Sequence, residues 1–131
     1  VYSKGRGRQS LSDPVAIVLA FCAAWDGPDF DAISDALHTD VHYHNKPVKP
    51  VDGKKAVMAY IRNAGPFDSS TWDVINIAAN GNIVLTERMD HFVKDGQKIA
   101  LEVMGVFVIE DGLIRVWRDY FDLALYRAQM T

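Results

Sequence analysis

The stretch WDVINIAANGNIVLTERMDHFVKDGQKIALEVMGVFVIEDGLIRVWRDY, residues 72–120, decides the architecture. Along most of it side chains alternate between two faces at a period of two, the mark of β-strands. Three dipeptides punctuate the pattern: Asn80-Gly81, Asp95-Gly96 and Asp111-Gly112. Each is a hairpin-turn signal, because Asn, Asp and Gly tolerate the positive φ of a tight turn. They divide the stretch into strands expected at 72–79, 83–94, 97–109 and 113–120. Long consecutive strands joined by such turns form an antiparallel meander.

Upstream of Phe67 the pattern is mainly helical. Asp13-Pro14 is an N-cap followed by proline at the first helical position. Val15, Val18, Leu19, Cys22 and Trp25 follow at helical spacing, and Gly27-Pro28 ends that helix. A second, shorter helix carries Phe30, Ile33 and Leu37 on one face. Residues 41–45, VHYHN, read as a short strand. Pro47 and Pro50 make residues 46–52 a loop, neither helix nor central strand. A third helix runs from Gly53 or Lys54 to Ala64 with Val57, Ile61 and Ala64 inward, and residues 121–129 fit a short closing helix. Three N-terminal helices and a long meander make an α+β domain. The expected form is a strongly curved, mixed but mostly antiparallel sheet wrapped around the helices, a cone-shaped barrel with a deep apolar pocket.

Composition bounds the function. A chain of 131 residues is one domain by size, and its 49% apolar and 24% charged residues exclude a disordered or coiled-coil class. No apolar run approaches the ~20 residues of a membrane span. Lys4, Arg6 and Arg8 fall in the first ten residues with no acid beside them, so the rest is more acidic than the formal net charge of −3. That sign disfavours nucleic acid and anionic membranes as partners. The sole cysteine, Cys22, excludes an internal disulfide framework and a Cys-rich zinc site, and lies in an apolar helical stripe. Residues 1–12 are polar and aperiodic and read as a flexible arm before a single domain at 13–131. They lack the apolar segment of a signal peptide, so cytoplasmic residence is expected.

The chemistry lies in polar residues on apolar faces. Val84, Thr86, Arg88, Asp90 and Phe92 share one face of their strand. In the last strand Leu113, Arg115, Trp117, Asp119 and Phe121 share a face, opposite Ile114, Val116, Arg118 and Tyr120. In the first strand Tyr43 and Asn45 share a face, opposite His42 and His44. Buried charges are costly unless paired. An arginine between Asp90 and Asp119 bonds both carboxylates with its planar fork. Such a trio carries −1 when both acids are ionised and is neutral with one added proton, the state that burial favours. It then holds one proton donor and one base, the pair needed to protonate a leaving oxygen while activating water. Tyr43 and Asn45 are placed to orient that water. The competing reading is a structural ion-pair network.

Other features read more plainly. His42-x-His44 has metal-ligand chemistry but no third ligand at suitable spacing, and is assigned to the outer face with His91. Trp25 and Met58 fit either the pocket mouth or the core. Lys46, Lys49, Lys54 and Lys55 form a solvated basic edge, and Gly53-Lys54-Lys55 lacks a phosphate-binding loop. The outer sheet face, with Leu85, Met89, Met104, Val106 and Val108, requires covering, and a homodimer would supply it.

YHN (43–45), TERMD (86–90), GVF (105–107) and WRDYFD (117–122), in this order, resemble the limonene-1,2-epoxide hydrolase family. Its cone-shaped fold is shared with nuclear transport factor 2-like proteins and polyketide cyclases. The resemblance spans about residues 13–126. It implies that Asp119 deprotonates a water held with Tyr43 and Asn45, that Asp90 protonates the epoxide oxygen, and that Arg88 bridges the two acids. It further implies hydrolysis of a small or medium lipophilic epoxide to a vicinal diol in one step. It implies too that no covalent ester, metal or cofactor takes part and that the protein is a homodimer. Trp25, Phe92, Leu101, Val103, Trp117 and Phe121 are expected to shape the substrate pocket. Their variability leaves the natural substrate open. The alternatives are an isomerase or cyclase, and a non-catalytic ligand-binding protein of the same fold.

Overall fold

The computed structural model describes residues 13–64 and 67–130. The expected arm, residues 1–12, lies outside the described residues. The elements run α1 (Pro14–Ala24), α2 (Phe30–Ala36), β1 (Leu37–Asn45), β2 (Val51–Asp52), α3 (Lys54–Ala64), β3 (Ser69–Asn80), β4 (Ile83–Lys94), β5 (Gln97–Glu110), β6 (Leu113–Tyr120) and α4 (Leu123–Gln129).

The Asp13 carboxylate caps α1, accepting from the Val15 and Ala16 amides at 3.0 and 3.4 Å. The face α1 buries includes Val18, Phe21 and Cys22, with Trp25 just beyond its end, whereas Val15 and Leu19 are only half-buried. Leu37 leaves helical geometry at the end of α2 and opens β1, opposite Ile114. The expected helical face of α2 therefore ends at Ile33, and the strand is longer than the residues 41–45 expected. Residues 51–52 form a short edge strand on β1, compatible with Pro50 just outside it. On α3 the buried residues are Val57, Met58 and Ile61, whereas Ala64, expected inward, is exposed at the helix end.

The sheet order is β2-β1-β6-β5-β4-β3, with β1 and β6 parallel and all other neighbours antiparallel. It is mixed, and open, with β2 and β3 as its edges. Asp95-Gly96 and Asp111-Gly112 have positive φ at both residues, the primed turn that matches strand twist. The first hairpin is shifted by one residue. Asn80 pairs with Ile83, so the turn is Gly81-Asn82, with φ +61° at Gly81.

Curvature is visible in the side chains. Trp72 on β3 and Trp117 on β6 lie three strand spacings apart, about 14 Å in a flat sheet. Their rings approach to 6.1 Å. Two bulges interrupt strict alternation: Ile75 is the extra residue against β4, and Arg115 the extra residue against β5. The Arg115 bulge turns Ile114 inward, so it is fully buried with Trp117 instead of lying on the opposite face. Phe21 of α1 centres the core and meets Trp25, Trp72, Phe107 and Trp117 edge-on at 5.0–6.3 Å. No described helix is long and apolar enough to cross a membrane.

Candidate active site

Ser70 of β3, Thr86, Arg88 and Asp90 of β4 and Asp119 of β6 are the buried polar or charged residues among the described ones, Tyr43 of β1 aside. Arg88 is fully buried. Its Nε donates to Asp90 Oδ1 at 3.0 Å and its Nη2 to Asp90 Oδ2 at 2.8 Å. On the far side Nη1 and Nη2 donate to Asp119 Oδ1 and Oδ2, both at 3.1 Å. Nη1 also donates to Thr86 Oγ1 at 3.2 Å. All five guanidinium N–H groups are thereby engaged. The Trp72 ring covers the guanidinium face, 4.1 Å from its carbon to the ring centroid, and Trp25 stacks on Trp72 at 4.7 Å.

Burial opposes the Arg88 charge, but Asp119 and Asp90 outweigh it and hold the guanidinium ionised well above its ordinary range. Burial raises the Asp90 carboxyl above the usual carboxylate value despite the opposing pull of Arg88, and the Asp119 charge adds to the rise. Burial, and next Asp119, push the Tyr43 phenol well above its ordinary range, so it remains a neutral donor.

Parallel pairing sets Tyr43 beside Trp117 and Asn45 beside Asp119. Tyr43, Asn45, Asp90 and Asp119 all line one cavity of about 310 Å³. Of the expected wall residues, Trp25, Phe92, Leu101, Val103 and Phe121 line it as well. Trp117 does not. It is sealed behind the wall, stacked on Tyr43 at 3.9 Å and packed against Phe21 at 5.0 Å. Met58 belongs to the core, and its helix offers Tyr60 and Ile61 to the cavity instead. Leu123, Tyr126 and Arg127 of α4 complete the wall, with α4 tied to β5 by the Gln129 amide on the Ala100 backbone at 2.8 and 2.9 Å. A helix one turn beyond the last strand carried no sequence signal for this role.

The two histidines of β1 have separate partners: His42 Nδ1 lies 2.6 Å from Asp52, and His44 Nε2 lies 2.8 Å from the Val48 carbonyl. Among the described residues, His38, Glu110 and Asp111 gather three possible ligand atoms, but at an exposed edge where Glu110 already faces Arg115 at 3.4 Å. His91 is exposed on the outer face, 3.3 Å from Asp73.

A curved α+β sheet around a pocket is the cone-shaped fold, and here two carboxylates that one guanidinium bridges face that pocket. Within that fold the limonene-1,2-epoxide hydrolase catalytic domain matches residues 12–130, and the chain belongs to this family. Epoxide hydrolase EphG of Mycobacterium tuberculosis H37Rv is 34% identical over 106 residues, covering 81% of this chain and 71% of that protein. The solved structure of an M. tuberculosis LEH-like epoxide hydrolase superposes with a TM-score of 0.79 at 31% identity, covering 88% of this chain and 87% of that one. The fold reaches further. A structure proposed as a SnoaL-like polyketide cyclase, from Shewanella denitrificans, has a TM-score of 0.81 at 13% identity, over 89% of this chain and 96% of that one.

Proposed function

We propose that the protein hydrolyses a small or medium lipophilic epoxide to a vicinal diol in one step, without a covalent intermediate or cofactor. The observation that carries the reading is the doubly bidentate Arg88 bridge between two carboxylates that both face one largely apolar cavity. Arg88 occupies one lone pair on each Asp90 oxygen, leaving others for a proton. The raised Asp90 carboxyl is the acid, and Asp119 is the base. Tyr43 and Asn45 hold the water against Asp119. That water gives a proton to Asp119 as its oxygen bonds to an epoxide carbon. The carbon–oxygen bond of the ring breaks, and Asp90 delivers its proton to the departing oxygen. The trio holds one proton before the reaction and one after it, so no net charge develops in the chamber. Exchange through water then returns the proton to Asp90. Each proton transfer is worth about 10²–10⁴-fold, with positioning of the water adding to it.

A cyclase or isomerase needs one base beside a polarised carbonyl and leaves the second carboxylate without a task. The exposed Leu85 and Met104, with half-buried Met89, Val106 and Val108, form the outer face on which a second copy of the chain would sit.

Incubation with a panel of epoxides in ¹⁸O-water tests the reading. Diol should form with the label at the attacked carbon from the first turnover. Label on a protein carboxylate after a single turnover would exclude the one-step route. Tight binding of apolar ligands with no diol from any epoxide would favour a binding protein.

A further inference from the structure

We infer that Gly105 is a positioning residue whose bare Cα opens the passage by which the Arg88 guanidinium crosses β5 to reach Asp119. Gly105 is buried in the middle of β5, opposite Thr86 on β4 and opposite Asp119 on β6. Glycine weakens a strand interior, so its presence there has a cost that close approach by another group can explain. It does not serve a turn, since the positive-φ glycines lie elsewhere.

The reason is on its inner side. A Cβ at position 105 would lie 2.8 Å from Asp119 Oδ1, 2.8 Å from Thr86 Oγ1 and nearer still to Arg88 Nη1. The next inward residues along β5 are Val103 and Phe107, both buried. They close the route on either side. Arg88 is directly opposite Val103, so its side chain leans by one residue pair to pass over Gly105. Thr86 fixes that lean: its Oγ1 accepts from Nη1 at 3.2 Å and donates to the Gly105 carbonyl at 3.5 Å. Two strands of spacing separate β4 from β6, about 10 Å, and only a long side chain over an empty position spans it.

Gly105→Ala therefore acts through Arg88. Neither Gly105 nor Arg88 lines the cavity. The expected result is a kcat lower by about 10–100-fold, as for a reacting group displaced by about an ångström, with KM changed by less than about twofold. A double-mutant cycle with Arg88→Met separates this from general damage to the strand. Without the guanidinium the tightest of the three contacts is gone and those to Asp119 and Thr86 remain, so Gly105→Ala should lower kcat and Tm clearly less in that background than in the wild type. If Gly105→Ala alone fails to fold, recovery of soluble, cooperatively melting protein in the double variant supports the inference. A wild-type kcat in Gly105→Ala overturns it, as does an equal loss of Tm, or of folding, in both backgrounds. The kinetic arm rests on the hydrolase reading, whereas the melting arm does not. Wild-type protein that makes no diol would defeat that reading and leave the Tm cycle able to decide the role of Gly105.

Discussion

Arg88 and Phe107 are equally sealed from solvent, on neighbouring strands and the same inner face of the sheet. Phe107 sits with Phe21 at 5.9 Å and Trp117 at 6.3 Å, opposite Val84. Its contacts are mainly apolar, with the Arg88 guanidinium 6.0 Å from its ring centroid, and its worth scales chiefly with the area removed from water, roughly 25 cal/mol per Å². Arg88 has to satisfy each N–H individually, and a single lost partner leaves a buried charge or polar group unmatched. The two regimes meet within a few residues. Along β4 and β5 the inward pairs run Val84 with Phe107, Thr86 with Gly105, and Arg88 with Val103. The apolar half holds the sheet to the helices. The polar half has no comparable stabilising role, since replacing a buried ion network with apolar residues is often neutral or favourable. The proposed reaction would account for its presence.

Separating the halves by mutation sharpens that contrast. Asp119→Asn keeps size, removes the proposed base and turns one of the two oxygens that accept from Arg88 into a donor, so diol formation should fall by about 10²–10⁴-fold, with a lowered thermal midpoint as well. Retention of a large part of the activity would place the base elsewhere. Phe107→Ala should differ in turnover. Loss of a fully buried aromatic costs about 3–5 kcal/mol in denaturant unfolding, with turnover per folded molecule changed far less than in Asp119→Asn. If Phe107→Ala lost turnover per folded molecule as steeply as Asp119→Asn, the two halves would be one cooperative unit and the contrast would fail.

How much of this was legible in the sequence follows the same division. Turn chemistry and alternation are local, and they placed β4, two of the three hairpin turns and, within one residue, the first, together with the charged residues of the inner face of β4. Bulges are not local. Nothing in the composition around Ile75 or Arg115 announces an extra residue, and the second bulge reversed the expected face of Ile114. Trp117 was read as pocket wall because it shares a face with Asp119. Sharing a face does not tell how deep the helices press, and Phe21 and Tyr43 occupy the space in front of it. Gly105 stood in plain view within GVF but carries no charge or periodicity, and its part emerges only when three strands are seen side by side. The cavity residues from α4 were hidden for a similar reason, since a short helix with no buried residues leaves almost no apolar pattern.

The smallest expected effect is in the pH dependence of stability, and it too distinguishes the halves. The folded state raises the Asp90 carboxyl above its unfolded value, by burial first and by the Asp119 charge in addition. Between the ordinary aspartate value, about 3.9, and the raised one, the native protein keeps a proton that the unfolded chain has released. The associated stabilisation is complete below the unfolded value and is lost as pH rises through the folded one. Asp90→Asn is neutral at every pH and lacks this loss, so its stability relative to wild type should increase as pH rises across that window. Urea unfolding of both proteins at closely spaced pH values measures the difference directly. Parallel curves would mean that Asp90 is ionised as readily in the native protein as in the unfolded chain, which would remove the proton donor from the chamber. Phe107→Ala supplies the comparison, because it changes no ionisable group in the trio. Its deficit relative to wild type should stay level through the interval in which Asp90→Asn gains.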